Sequence, residues 1–283
     1  MQAATARPSA SPSGSRHRRH RRPRPALGRL ARIGRLSLHF LRGLRTVAFT
    51  FPSLDAQARR VRIRKWSRKL LRILRVELRV QGELLHPNVQ VVANHVSWLD
   101  IFALHAIGPV RFIAKSEIGD WPMIGRLVRG VGTLFVERAR RRDTHRVNRE
   151  VTDALAAGDI VAVFPEGTVT DGSKVLPFKG SLLQPIIDAG GRIQPVAIAY
   201  RDAAGEQSLA AAYHDVHFLG SLWRIAGARS LVVELIALPP LDTAGRHRRE
   251  LAREAEIAIR AALASPAHGS APGTRGDPAG ESR

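Results

Sequence analysis

Residues 89–104 read V-Q-V-V-A-N-H-V-S-W-L-D-I-F-A-L and place two opposite backbone habits on either side of one polar corner. Val89 to Ala93 is a short apolar, β-branched run, which predicts a buried strand. It stops at Asn94-His95. Ser97, followed three residues later by Asp100 and then by Ile101, Phe102 and Leu104, is a capping-box-like start signal with Asp where Glu or Gln is usual. His95 is therefore expected just outside the first helical turn and Asp100 within it. A histidine at such a corner can fold back so that one ring nitrogen meets the carboxylate while the other faces a cleft, as a general base requires. The same residues also fit a plainer reading, in which Asp100 is an acid favoured by the helix dipole and His95 an ordinary turn residue. The corner alone does not choose between them.

The rest of the chain alternates in the same manner. Strand patterns fall at Glu77 to Val80, Val110 to Ala114, Leu134 to Glu137, Ile160 to Phe164, Ile193 to Tyr200 and Leu231 to Leu238. Helical patterns run from the Ser97 corner to about Ala106, then over Gly125 to Val128, Thr144 to Ala157, Leu182 to Ala189 and Arg248 to Leu263. Strands alternating with helices of these lengths predict a single α/β domain over residues 76–263, with a mixed sheet covered by helices on both faces. At 283 residues the chain can bury such a core without cross-links. It has no cysteine, which excludes disulfides, thiolate metal sites and acyl-cysteine intermediates.

Charge separates the beginning of the chain from the rest. The formal net charge is +21, and no Asp or Glu precedes Asp55. Residues 1–25, rich in Ser, Pro, Arg and His, and residues 264–283 carry too little apolar material to fold and are expected to be disordered tails. No uninterrupted apolar stretch for a secretory signal follows the first tail, whereas its composition leaves a mitochondrial presequence open. Residues 26–75 form two basic amphipathic patterns. In the first, Leu27, Leu30, Ile33, Leu36, Phe40, Leu41, Leu44 and Val47 share one side of a helical wheel and most arginines take the other. The second, from Ala56, sets Val61, Trp66, Leu70, Ile73 and Leu74 among eight Arg and Lys residues, and Pro52 separates the two. Arginine interrupts every run long enough to span a bilayer. The pair fits an anionic membrane interface, at the cytoplasmic face of an inner membrane, or packing against the main domain with solvated basic faces.

Three more polar corners follow. Leu134 to Val136 delivers Glu137-Arg138, and Arg138 is either a phosphate or carboxylate fork or the partner of a nearby acid. Val163-Phe164-Pro165-Glu166-Gly167-Thr168 ends a second apolar strand in a turn at the sheet edge where α/β proteins bind ligands. Gln194-Pro195-Val196 lies in a third strand.

In this order the four corners resemble the glycerophospholipid acyltransferase family, whose best-known members are 1-acylglycerol-3-phosphate acyltransferases, and the similarity covers about residues 82–241. The resemblance implies that His95 and Asp100 are catalytic and that Arg138, Glu166, Gly167 and Thr168 hold the acceptor's phosphate side. It also makes Asn94, Ser97, Pro165 and Pro195 structural at the site. It implies an O-acyltransferase of phospholipid biosynthesis. Such an enzyme moves a fatty acyl group from acyl-CoA or an acyl carrier protein, with no cofactor or metal, to a lysophospholipid. The first expectation is 1-acylglycerol-3-phosphate giving phosphatidate. One departure bears on the acceptor: Val169 follows Glu-Gly-Thr where many members have Arg, so a charge-assisted contact is lost. Lys179 is the candidate to compensate, and another acceptor such as a lyso-ornithine lipid is the alternative.

Two mechanisms and two further classes compete with this reading. Ser97 as nucleophile lacks a Gly-x-Ser-x-Gly elbow and is engaged in capping. A nucleic-acid binder would explain the charge, although aromatic residues for base stacking make up only 5% of the chain. A metal hydrolase built on His214 and His217 lacks a third ligand at helical spacing.

Overall fold

The computed structural model describes residues 26–84, 87–108, 110–136 and 141–265. Its strands are β1 (Val76–Gln81), β2 (Val89–Ala93), β3 (Val110–Lys115), β4 (Leu134–Val136), β5 (Ile160–Val163), β6 (Arg192–Arg201), β7 (Leu231–Ala237) and β8 (Leu241–Asp242). They form one mixed sheet in the order β1-β7-β6-β2-β5-β3-β4, with β8 also paired to β6. β2 lies inside it, parallel to β5 on one side and to β6 on the other. All five β2 residues are buried, as a strand covered on both faces must be, and hence the unbroken apolar run. The parallel register sets Val92 opposite Val163 and Ala93 opposite Val196, so the carboxyl ends of β2 and β5 open side by side. The two polar corners they carry are thereby brought together.

Pro195 is tolerated inside the long strand β6 for a local reason. One edge of β6 pairs antiparallel with β8 through Arg192 and Ile193 and then with β7 from Val196 to Arg201. The Pro195 carbonyl accepts from Leu238 N–H at 2.9 Å on that edge, which places the missing proline N–H in the gap between the two partners.

One face of the sheet carries α1 (Ala26–Arg45), α2 (Ala56–Leu74), α3 (Leu99–Ile107) and α8 (Phe218–Gly227). Their Leu36, Leu70, Leu74, Leu99, Leu104 and Ile225 pack with Val91, Ile160, Ile198 and Val233 of the strands. The other face carries α6 (Arg141–Ala156), α7 (Gln184–Asp188) and α9 (Arg248–Ala264), with Val151, Leu155, Ile186, Leu251 and Ile259 against Val161, Val163 and Ile193. Short helices α4 (Ser116–Gly119) and α5 (Ile124–Gly130) join β3 to β4.

Three differences from the sequence expectations have physical causes. The helix expected over Leu182 to Ala189 opens as a 3-10 turn, Gly180–Leu183, and becomes α-helical only at Gln184, because Pro185 is accepted in a first turn but not further in. Helix α8 is short and contains Gly220, which hid it in the sequence. The most consequential difference is in α1. Its buried residues are Arg32, Leu36, His39 and Gly43, while Leu27, Leu30, Leu38 and Leu41 face outward. The apolar residues are thus divided between two opposite faces and not gathered on one. Arg32 can lie inward because its guanidinium donates to the Ala226 carbonyl at the end of α8, and His39 because it stacks on Trp66 of α2 and bonds the Trp66 carbonyl at 3.0 Å. In helix α2, Ser67, Leu70, Leu71 and Leu74 are buried, Val61, Trp66 and Ile73 are half-buried, and the arginines and lysines are exposed.

Candidate active site

The corner after β2 is held by β6, by the turn that follows β5 and by α3. Asn94 is buried and extends the ladder between β2 and β6 with its side chain: Nδ2 donates to the Ile198 carbonyl at 2.9 Å, and Oδ1 accepts from Ile198 N–H at 2.8 Å. The next residue, His95, has its backbone clamped at both ends. Its N–H donates to Glu166 Oε1 at 2.7 Å, and its carbonyl accepts from Thr170 N–H at 2.9 Å. The ring lies flat on Phe164, with centroids 4.0 Å apart and planes 9° from parallel. Behind Phe164 stands Phe112, 5.8 Å away, and behind that His105 of α3, 5.0 Å from Phe112. The imidazole thus has a firm wall on one face and little freedom to rotate.

Asp100 is fully buried. Its Oδ2 accepts from Val96 N–H at 2.8 Å and Ser97 N–H at 3.0 Å, and meets His95 Nδ1 at 2.8 Å. Because Oδ2 is an acceptor to two backbone donors, the third contact puts the ring proton on Nδ1, leaving the Nε2 lone pair for a substrate. The His95 side chain is 19% exposed, so Nε2 belongs to an imidazole that meets solvent while its partner does not. Asp100 Oδ1 accepts from the Tyr200 hydroxyl at 2.6 Å.

The capping-box expectation is met in half. Asp100 reaches back to the Ser97 N–H as the acid of such a box does, but the Ser97 hydroxyl accepts only a long contact, 3.3 Å, from Leu99 N–H. Ser97 is fully buried, so its hydroxyl has no path to an acyl donor and the nucleophile reading fails on access.

At the second corner one side chain faces the protein interior. Glu166 is turned inward: it is buried, and its two oxygens accept from His95 N–H at 2.7 Å and Leu176 N–H at 2.8 Å. Burial pushes its carboxyl above the usual value, opposed by those two donors. Glu166 is therefore a brace between the two corners and presents almost no surface to an acceptor. Gly167 sits at φ +76°, a conformation that favours glycine, and its N–H closes the turn onto the Phe164 carbonyl at 3.1 Å. That turn leaves Thr168 exposed at the mouth. Pro165 is buried, and its carbonyl accepts from Lys179 N–H at 3.0 Å, which brings the exposed Lys179 side chain beside the same corner. Arg138 lies outside the described residues. His214 and His217 sit in the segment leading into α8, and among the described residues no three His, Asp or Glu side chains are grouped to hold a metal ion.

Sequence reasoning missed Phe164 as the wall of the imidazole, Thr170 as a clamp and Tyr200 as the partner of Asp100. Only Tyr200 left a signal, as the last of the alternate residues Val196, Ile198 and Tyr200 that face α3. A pairing across 100 positions has no local signature.

Comparison with known proteins points the same way. Residues 77–199 match the sequence model of a family described as Acyltransferase. The chain is 42% identical over 184 residues to the 1-acyl-sn-glycerol-3-phosphate acyltransferase of Neisseria gonorrhoeae, covering 64% of this chain and 72% of the relative. It is 37% identical over 213 residues to the lyso-ornithine lipid O-acyltransferase of Pseudomonas aeruginosa, covering 75% and 82%. Among solved structures it resembles the 1-acyl-sn-glycerophosphate (LPA) acyltransferase PlsC from Thermotoga maritima with a TM-score of 0.63 and 25% identity, over 83% of this chain and 96% of that one. With an imidazole and a buried carboxylate paired at the corner of this sheet, and relatives this similar over most of their length, the chain is an O-acyltransferase of the glycerophospholipid acyltransferase family.

Proposed function

We propose that the enzyme transfers a fatty acyl group from a thioester, acyl-CoA or acyl carrier protein, to the free hydroxyl of a lysolipid, with 1-acylglycerol-3-phosphate as acceptor and phosphatidate as product. The observation that carries this is the contact of His95 Nδ1 with buried Asp100 Oδ2 at 2.8 Å, which leaves the other ring nitrogen of a partly exposed imidazole free to act as a base. In the proposed step His95 Nε2 takes the proton of the acceptor hydroxyl as its oxygen attacks the thioester carbonyl carbon. The carbon–sulfur bond breaks, and the departing sulfur takes the proton back from His95. Thiolate leaves readily, so the alcohol is the partner that needs help, and a positioned base supplies about 10²–10⁴-fold. Ser97 is inaccessible and the chain has no cysteine, which supports direct transfer without an acyl-enzyme.

A second acceptor, a lyso-ornithine lipid, is favoured by one feature. Val169 lies between Thr168 at the mouth and Thr170, whose N–H bonds the His95 carbonyl, so the position next to the catalytic corner lacks a guanidinium. Lys179, whose N–H bonds the Pro165 carbonyl, is the cation proposed to meet a phosphate there.

The proposed workplace is an anionic membrane surface, the cytoplasmic face of an inner membrane, approached without a span. Among the described residues no helix is long and apolar enough to cross a bilayer. In support, α1 carries outward leucines, Leu219 and Trp223 of α8 are also exposed, and Arg29 of α1 stacks over the Trp223 ring at 5.2 Å. Helix α8 in turn touches the site: Trp98, three residues after His95, packs on Phe218 and donates to Ser221 Oγ at 3.1 Å. Exposed apolar side chains on α1 and on α8, the latter tied to the corner through Trp98, are what a lipid substrate calls for.

The test is a lysolipid panel with acyl-CoA and acyl carrier protein as donors, comparing wild type with His95→Ala. Transfer to a lysolipid that falls by at least a hundredfold in the variant supports the reading; near wild-type transfer by His95→Ala refutes it.

A further inference from the structure

Three donors crowd one oxygen of Asp100. Val96 N–H, Ser97 N–H and His95 Nδ1 all meet Oδ2, within 3.0 Å. A carboxylate held at one oxygen can still pivot about that oxygen, and its lone pairs sweep across the imidazole as it does. What holds the other oxygen is the Tyr200 hydroxyl, 2.6 Å from Oδ1. Tyr200 comes from the long strand β6, where Asn94 bonds Ile198 two residues earlier and β7 pairs opposite Tyr200 at Val233. The phenol therefore approaches from a rigid element and not from a loop, and it is buried like the carboxylate it meets.

We propose that Tyr200 is a positioning residue for proton transfer: its hydroxyl fixes the plane of the Asp100 carboxylate and restrains its basicity toward His95. This rests on the acyl-transfer reading, in which His95 is the base. Tyr200 acts through Asp100 and touches no substrate. Burial and the neighbouring Asp100 charge hold its phenol well above the ordinary value, so it stays a donor throughout the working pH range and serves as a fixed support. The other acid near the pair, Glu166, is held by the backbone N–H groups of His95 and Leu176 and feels the charges of both His95 and Asp100, but it has no direct contact with the Tyr200 hydroxyl.

The sign of the effect follows from the chemistry. Without the phenol proton, the Asp100 charge is less dispersed, the carboxylate attracts the imidazolium more strongly, and His95 keeps its proton to higher pH. Tyr200→Phe removes one oxygen and keeps the ring that packs in the core. Expected are a fall in kcat of about tenfold, from the loss of one charge-assisted hydrogen bond, with KM for donor and acceptor unchanged. The acid limb of kcat/KM should move to higher pH. Difluorotyrosine placed at the same position is a stronger donor of nearly the same shape, and should move the limb to lower pH. Histidine-ring NMR of the His95 titration gives the same two shifts without any substrate, so it decides the role of Tyr200 even if no lysolipid on the panel is accepted. A wild-type kcat in Tyr200→Phe, or an acid limb and His95 titration that stay in place in both variants, overturns the proposal. Loss of activity from KM alone overturns it as well. A wild-type enzyme that acylates no lysolipid, or a His95→Ala variant that acylates normally, instead counts against the acyl-transfer reading.

Discussion

His105 gives the chain an acid-sensitive point that can be worked through in numbers. It lies on α3, completely buried, with its ring edge-on to Phe112 and its Nδ1 without a hydrogen-bond partner. Burial alone lowers its pKa from 6.5 to about 4. The unfolded chain therefore binds the proton more readily than the folded one, and stability contributed by the neutral ring is lost as pH falls from 6.5 toward 4. The full difference corresponds to about 3 kcal/mol, and about 2 kcal/mol of it falls between neutral pH and about pH 5. The consequence is not confined to stability. His105 supports Phe112, Phe112 supports Phe164, and Phe164 is the wall on which the His95 ring lies. Replacing His105 by Phe keeps a neutral ring and removes the titration. Overpacking shifts the overall stability of that variant, so the comparison is between slopes. Denaturant unfolding at a series of pH values should show the wild type losing about 2 kcal/mol more than His105→Phe on acidification. Equal slopes would refute the assignment of this acid sensitivity to His105.

Two other changes test the frame and the surface of the site. Asn94→Ala leaves the Ile198 N–H and carbonyl without partners in a dry interior, a cost of about 2–6 kcal/mol for two groups, and should lower thermal stability together with kcat, because the end of β6 that carries Tyr200 loosens. Leu30→Glu combined with Leu41→Glu changes two outward side chains of α1 and should leave unfolding unchanged while reducing sedimentation with anionic vesicles by at least about tenfold, each apolar side chain being worth about 1.5–3 kcal/mol on burial. Undiminished binding would remove the leucine stripe from the docking surface.

The parts of the fold legible in sequence were those whose signal is local. β2 and β5 read as strands because both of their faces are buried and the runs are unbroken, and the Ser97–Asp100 spacing marked where α3 begins. The pairing of the His95 and Glu166 corners was legible only through the resemblance, since it depends on β2 and β5 being parallel neighbours across some seventy intervening residues. Glu166 shows what the sequence left out. The resemblance gives it a role toward the acceptor, and no local signal announced the two backbone donors, from His95 and Leu176, that its carboxylate accepts. Helix α1 shows the same limit in another form. A helical wheel sorts side chains by type, but burial follows the neighbours a helix meets, and here a carbonyl at the end of α8 and the stacked Trp66 admit Arg32 and His39 to the interior.

That exchange gives the basic charge of the chain a more specific reading than attraction alone. On α2 the arginines and lysines stand outward over a buried apolar seam, so this helix offers charge and little else. On α1 the outward stripe is leucine at 27, 30, 38 and 41, flanked by exposed Arg35, Arg42 and Arg45. In the proposed docking mode the two helices do different work. Charge on α2 and on the flanks of α1 draws the enzyme to an anionic surface over a distance limited by the Debye length, about 8 Å at physiological salt. The leucines, with Leu219 and Trp223 of α8, hold it there by burial, which salt does not screen. Because α8 packs against Trp98, three residues after His95, this docking mode requires that the side entering the lipid be the side on which His95 meets solvent, so that a lysolipid reaches the proposed base without first leaving the bilayer for water.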